Sequence, residues 1–157
     1  MCDYSLMMLH TRLASEGEEL VAHLYQSGSM GLVSRSDFDS WRVRQRERSW
    51  WQAVKDYWAP GVEPEPVVCI PPGTRLRVLD ISGFLQDRYG LSSSEDGTFT
   101  ETSWEASQYR DAVHFGNGST ILLQLLKEGQ RVKVLRLSTG DTEQSKPSPV
   151  DADWIEQ

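Results

Sequence analysis

Cysteine and histidine are scarce in this chain, with two and three residues respectively among 157. Two cysteines do not make a disulfide framework, and a domain of this length buries roughly two-thirds of its unfolded surface and folds without covalent staples. Long apolar runs are also missing. None approaches the ~18 residues of a membrane span, so no membrane partner is expected. The stretch from Met1 to Gly17 has no basic start, and its longest apolar run, Leu6-Met7-Met8-Leu9, is followed by His10 and Arg12. A secretory leader is therefore not expected, and the chain reads as cytoplasmic with reduced thiols. Positive charge is short as well: the formal net charge is −7. Residues 1–62 carry 7 Lys/Arg against 8 Asp/Glu, and residues 63–157 carry 9 against 15. Such a balance argues against general affinity for nucleic acid. With neither a nucleophile elbow nor a phosphate-binding loop, the sequence points away from an enzyme.

What is present begins with a strand, a turn and a second strand. Glu18 to Tyr25 is apolar with alternation, Gln26-Ser27-Gly28-Ser29 is turn-forming, and Met30-Gly31-Leu32-Val33 resumes the pattern. Ser36-Asp37-Phe38-Asp39 then reads as a capping box with Asp in the last place. It predicts a helix over about 37–58, ended by Trp58-Ala59-Pro60-Gly61 because proline cannot continue the ladder. Val62 to Pro66 reads as a stiff extended connector.

Beyond the connector the pattern is β. Val67-Val68-Cys69-Ile70 is a short apolar strand, and Arg75-Leu76-Arg77-Val78 alternates. Ser82 to Gly90 is expected to hold a short helix with Phe84, Leu85 and Tyr89 inward and Gly90 as its stop. Ser92 to Gly97 reads as a solvated loop. The strongest hairpin signal joins Asp111–Phe115 to Thr120–Leu126 across Gly116-Asn117-Gly118-Ser119. A further turn, Lys127 to Gln130, leads into Arg131–Leu137, and the three segments are expected to form a meander. Its middle strand is apolar on both faces, so both sides of the sheet need cover.

Two groups of residues carry candidate chemistry. Cys2, His23 and Cys69 are the candidate ligands for zinc or another thiophilic ion, which takes sulfur and nitrogen donors in a closed tetrahedron. Their spacing matches no zinc-finger or ribbon pattern, and a fourth ligand has to come from His10, Asp3 or water. The start Met1-Cys2 is similar to that of the glutamine amidotransferases with an N-terminal nucleophile, which open Met-Cys-Gly. Here Asp3 replaces the glycine and disfavours the thiolate, and the chain is short for the four-layer fold that the resemblance implies.

The second group lies on the predicted helix. Trp51, Val54 and Trp58 form one stripe that suits packing on the sheet, while Trp50 and Tyr57 lie on another part of its surface. Aromatic residues left at a surface are characteristic interface anchors. Arg42, Arg44, Arg46 and Arg48 alternate along the same helix, which separates them into the pairs Arg42/Arg46 and Arg44/Arg48. Trp154-Ile155 is an isolated apolar pair in an acidic tail.

The sequence thus predicts an α+β fold: a small antiparallel, partly rolled or barrel-like sheet with an inserted amphipathic, aromatic-rich helix over about 37–58. Residues 1–140 form the single domain, and residues 141–157 an acidic, proline-containing tail. The expected function is a non-enzymatic protein-interaction module, a small accessory subunit of a larger cytosolic assembly. Trp50, Tyr57, Arg44, Arg48 and Trp154 would contact its protein partner. The alternative is a metal-binding protein or metalloenzyme built on Cys2, His23 and Cys69.

Overall fold

The computed structural model describes residues 9–47, 64, 66–102 and 110–138. These form a mixed α+β fold with nine strands in one mostly antiparallel sheet and two α-helices. In chain order the elements are β1 (Thr11–Leu13), β2 (Glu19–Leu24), β3 (Met30–Ser34), α1 (Arg35–Glu47), β4 (Val67–Cys69), β5 (Arg75–Val78), α2 (Gly83–Tyr89), β6 (Glu95–Glu101), β7 (Asp111–Phe115), β8 (Thr120–Leu122) and β9 (Arg131–Arg136). A 3-10 turn, Leu123–Leu125, follows β8 directly. Across the sheet the order is β1-β4-β3-β2-β9-β5-β6-β7-β8.

The β2–β3 hairpin forms as its alternation predicts, with Leu20 opposite Ser34 and Leu24 opposite Met30. Gly28, at φ 81°, supplies the left-handed residue of the turn, and its N–H donates to the Tyr25 carbonyl at 2.8 Å. The even positions of β2, Leu20 and Ala22, enter the main core, while Val21 and Tyr25 face the other side.

On that other side lies α1. Its cap is Ser34, two residues before the position that the sequence suggests. The Ser34 hydroxyl accepts the Asp37 N–H at 3.1 Å and is 2.6 Å from Asp37 Oδ2, which satisfies one orphan amide and places a carboxylate at the positive helix end. Phe38 and Trp41 pack with Val21, Tyr25, Val33 and Val67 in a small second cluster. An aromatic-rich helix over 37–58 is not supported. The described helix carries two aromatics, Phe38 and Trp41, and Trp50, Trp51, Tyr57 and Trp58 lie outside the described residues.

The main core covers the opposite face and draws on both ends of the sheet, including Leu20, Val68, Leu76, Val113, Ile121 and Val134. The sheet is nevertheless open, with β1 and β8 at its edges, so the rolled or barrel-like form is corrected. β8 has three residues before the chain tightens into the 3-10 turn, which leaves too short a ladder for closure. A side chain spans the approach instead: Gln124 accepts the Met30 N–H at 2.9 Å and donates to the Gly28 carbonyl at 2.8 Å.

Three other expectations change. The meander does not form, because β9 lies between β2 and β5 and not beside β8. The 3-10 turn interrupts the strand, and Gly129 and Gln130 then exchange backbone hydrogen bonds with Ala22, carrying the chain to β2. Glu95, Asp96 and Gly97 belong to β6 and not to a loop, since pairing with β5 and β7 supplies the ladder that their local propensity lacks. In α2, Leu85 is buried but Phe84 is 71% exposed. Gly90 does end that helix, at φ 64° with its N–H on the Gln86 carbonyl. Asn117 and Ser119 from the β7–β8 turn donate to the Tyr89 carbonyl, and Asn117 also to that of Gly90, satisfying acceptors at the helix end.

Gly97 shows how closely β6 and β7 approach. A Cβ added there would lie 2.5 Å from Val113 Cγ1 and 2.9 Å from the His114 carbonyl oxygen. Gly97→Ala is expected to destabilise the fold by about 1–3 kcal/mol in urea unfolding. Gly116→Ala, where nothing lies within 4 Å of the added Cβ, serves as the control and is expected to change much less.

Candidate functional site

Three of the eight residues singled out from the sequence are described: His23, Arg44 and Cys69. Cys2, Arg48, Trp50, Tyr57 and Trp154 lie outside the described residues. His23 and Cys69 belong to the sheet beneath α1, and Arg44 to the solvent side of that helix.

His23 is 2% exposed. Its ring meets Tyr25, Phe38 and Trp41 edge to face, with centroid separations of 4.8, 5.9 and 4.7 Å. Strand alternation explains this placement, because His23 shares a face of β2 with Val21 and Tyr25. Nδ1 lies 3.0 Å from Glu128 Oε1, and that carboxylate is half-exposed. When Nδ1 carries the proton it donates to Glu128, which leaves Nε2 as the basic nitrogen.

Glu128 was not singled out as a site residue. It lies 105 residues from His23 and belongs to a segment whose composition signals only a turn. A lone acidic residue beside a turn glycine carries no local sign of a partner.

On β4, Val67 belongs to the helix-side cluster and Val68 to the main core. Alternation therefore turns Cys69 towards the helix side, the side of His23. Cys69 is disulfide-bonded, which corrects the expectation of a reduced thiol; the chain's other cysteine is Cys2. A sulfur held in a disulfide has no thiolate to give a metal. Among the described residues, no group of three or more His, Cys, Asp or Glu is placed to hold a metal ion.

The outer face of α1 has a different character. Arg42, Val43, Arg44 and Arg46 are all exposed, Val43 at 54%. The Arg42 guanidinium lies 5.7 Å from the Phe38 ring centroid, a cation–π distance. Arg44 and Arg46 have no ion-pair partner among the described residues. At the helix start, by contrast, Arg35 is bound to Asp39 at 3.1 Å and Glu19 at 2.6 Å. Those two carboxylates raise its pKa above the ordinary guanidinium value, chiefly by hydrogen bonding.

Comparison with protein-family models, with curated proteins and with solved structures finds no match. Among the described residues no helix is long and apolar enough to cross a membrane.

The state of Cys69 is open to direct measurement. Denatured, unreduced protein is expected to show no alkylation of Cys69 by iodoacetamide in peptide mass analysis, and full alkylation after reduction. Alkylation without reductant would return Cys69 to the thiol form.

Proposed function

We propose that this chain is a non-enzymatic protein-interaction module, and that the outer face of α1 receives an acidic segment of a protein partner. One observation carries this reading. In a chain of net charge −7, Arg42, Arg44 and Arg46 stand exposed on one helix, and the last two are unneutralised among the described residues. Val43 adds an exposed apolar contact between them. Charges of this kind set association rate and partner choice through complementarity, and they leave the fold's own packing unaffected. A small accessory subunit of a larger assembly fits this description.

A second reading, binding of zinc or another thiophilic ion, has one observation in its favour: alternation turns Cys69 and His23 to the same side of the sheet. It requires the disulfide to open first, and Cys2 would supply the second sulfur.

For the interaction reading, wild-type and Arg44→Glu/Arg46→Glu chains serve as baits in the same lysate. Proteins retained by the wild type are expected to carry an acidic segment that binds as an isolated peptide, and the double variant should bind that peptide about tenfold more weakly or worse. Its thermal midpoint should be unchanged. Peptide binding indifferent to both substitutions ends the reading. For the metal reading, elemental analysis of the reduced chain should find about one ion per chain, lost in His23→Ala. A metal-free reduced chain ends it.

A further inference from the structure

Among the described residues, no helix packs on the side of the sheet that carries α1 where it continues across β9 and β5. Leu76, Val78, Val132 and Val134 point into the main core, so Arg75, Arg77, Arg131 and Lys133 point outward. The ladder sets Arg77 directly opposite Lys133. At the bulge between Arg75 and Leu76, Arg136 becomes the partner of Arg75. Like charges are thus opposed at two successive pairs, an arrangement that costs stability in a sheet.

Local carboxylates neutralise only part of this charge. Arg77 is forked on Asp96 at 2.5 and 2.9 Å, and its hydrogen bonds hold the Asp96 pKa below the ordinary carboxylate value against the opposing effect of burial. Arg131 is bound to Asp80 at 2.6 Å. Lys133 pairs in the ladder with Glu19, but that carboxylate is taken by Arg35 at 2.6 Å and Arg131 at 3.5 Å. Arg75, Lys133 and Arg136 are exposed and none is in a salt bridge among the described residues; Arg75 adds a longer-range attraction to Asp96, whose carboxylate is already bound by Arg77. Beside them runs a polar row in which Arg75 is opposite Thr98, Thr98 opposite His114, and His114 opposite Thr120.

We propose that this sheet face is a second docking surface, distinct from the outer face of α1, which receives an extended acidic polypeptide segment whose carboxylates neutralise Arg75, Lys133 and Arg136. An extended chain carries side chains of one face about 6.6–6.8 Å apart, the repeat that also separates Arg75 from Arg77 along β5. Acidic residues at alternate positions follow the repeat of β5, and Arg136 and Lys133, across the ladder from Arg75 and Arg77, are matched to them in sign. A nucleic-acid strand fits less well. The row beside the cations consists of threonine and histidine where single-strand binding uses aromatic stacking, and Glu19, Asp80 and Asp96 border the patch with negative charge. The net charge of −7 opposes a longer polyanion further.

The test uses the full chain and a fluorescent octapeptide of alternating glutamate and serine, read by anisotropy at low and physiological salt. Saturable binding is expected, weaker at the higher salt. Arg75→Ser/Arg136→Ser should weaken it about tenfold or more, while the thermal midpoint stays equal or rises because opposed like charges are removed. Lys133→Gln, which alters a single exposed side chain, should shift binding in the same direction, and at physiological salt Arg44→Glu/Arg46→Glu should weaken it by less than the sheet pair does. Binding that ignores the sheet substitutions overturns the proposal. Binding that follows the helix substitutions instead also overturns it, and leaves the reading of α1 standing. Equal or tighter binding of a thymidine oligonucleotide of the same net charge overturns the assignment to an acidic polypeptide.

Discussion

The sheet depends on β9. Its ladder to β2 on one side and to β5 on the other joins the strands β1, β4, β3 and β2 to the strands β5, β6, β7 and β8. Without it the described strands would form two smaller sheets, each with an unpaired inner edge, and exposed edges of this kind are templates for wrong pairing. Val132 and Val134 are fully buried between the two groups, and Gly129 and Gln130 bring the chain onto Ala22. The contact is remote in sequence, with Glu19 and Arg131 112 residues apart. Forming it carries the loop-closure cost typical of non-local β pairing.

The same strand organises the candidate chemistry. The turn before it brings Glu128 to His23, so the buried imidazole gains its carboxylate from the same approach that joins the sheet. Arg131 connects Asp80, near the end of β5, with Glu19 on β2, and Glu19 in turn binds Arg35 on α1. Exposed ion pairs of this kind add little stability singly, but here they link four elements and consume the nearby carboxylates. Among the described residues Lys133 and Arg136 form no salt bridge. The cationic face is thus a product of the pairing pattern and of where the acids are already engaged.

Much of the local structure was legible in the sequence. The β2–β3 hairpin, the β7–β8 hairpin across Gly116 to Ser119, and the stop at Gly90 follow from alternation and from glycine's access to positive φ. The start of α1 was legible in kind but not in place. Ser34 and Ser36 each stand before an acidic residue three positions on, and the hydrogen bonding of Ser34 to Asp37 selects the first. Phe84 and Leu85 are adjacent apolar residues on a short helix, and periodicity over seven residues does not say which of them meets the core. Of the site, His23 and Cys69 were recognisable as residue types able to bind metals. The carboxylate beside one and the disulfide at the other were not, because each depends on a partner distant in the chain.

The sequence by itself determined the α+β class and the strand-forming segments of β2, β3, β4, β5, β7, β8 and β9, since these follow from side-chain period and turn chemistry within a few residues, but not β1 or β6. Tertiary structure alone decided that β9 enters between β2 and β5, that the sheet stays open, and that Arg75 meets Arg136 and Arg77 meets Lys133. The physical reason is that a strand's own residues specify which face is apolar but not which neighbour supplies its hydrogen bonds. That choice is made by the whole chain at once, through the burial available on each side and the length of ladder that each candidate neighbour offers.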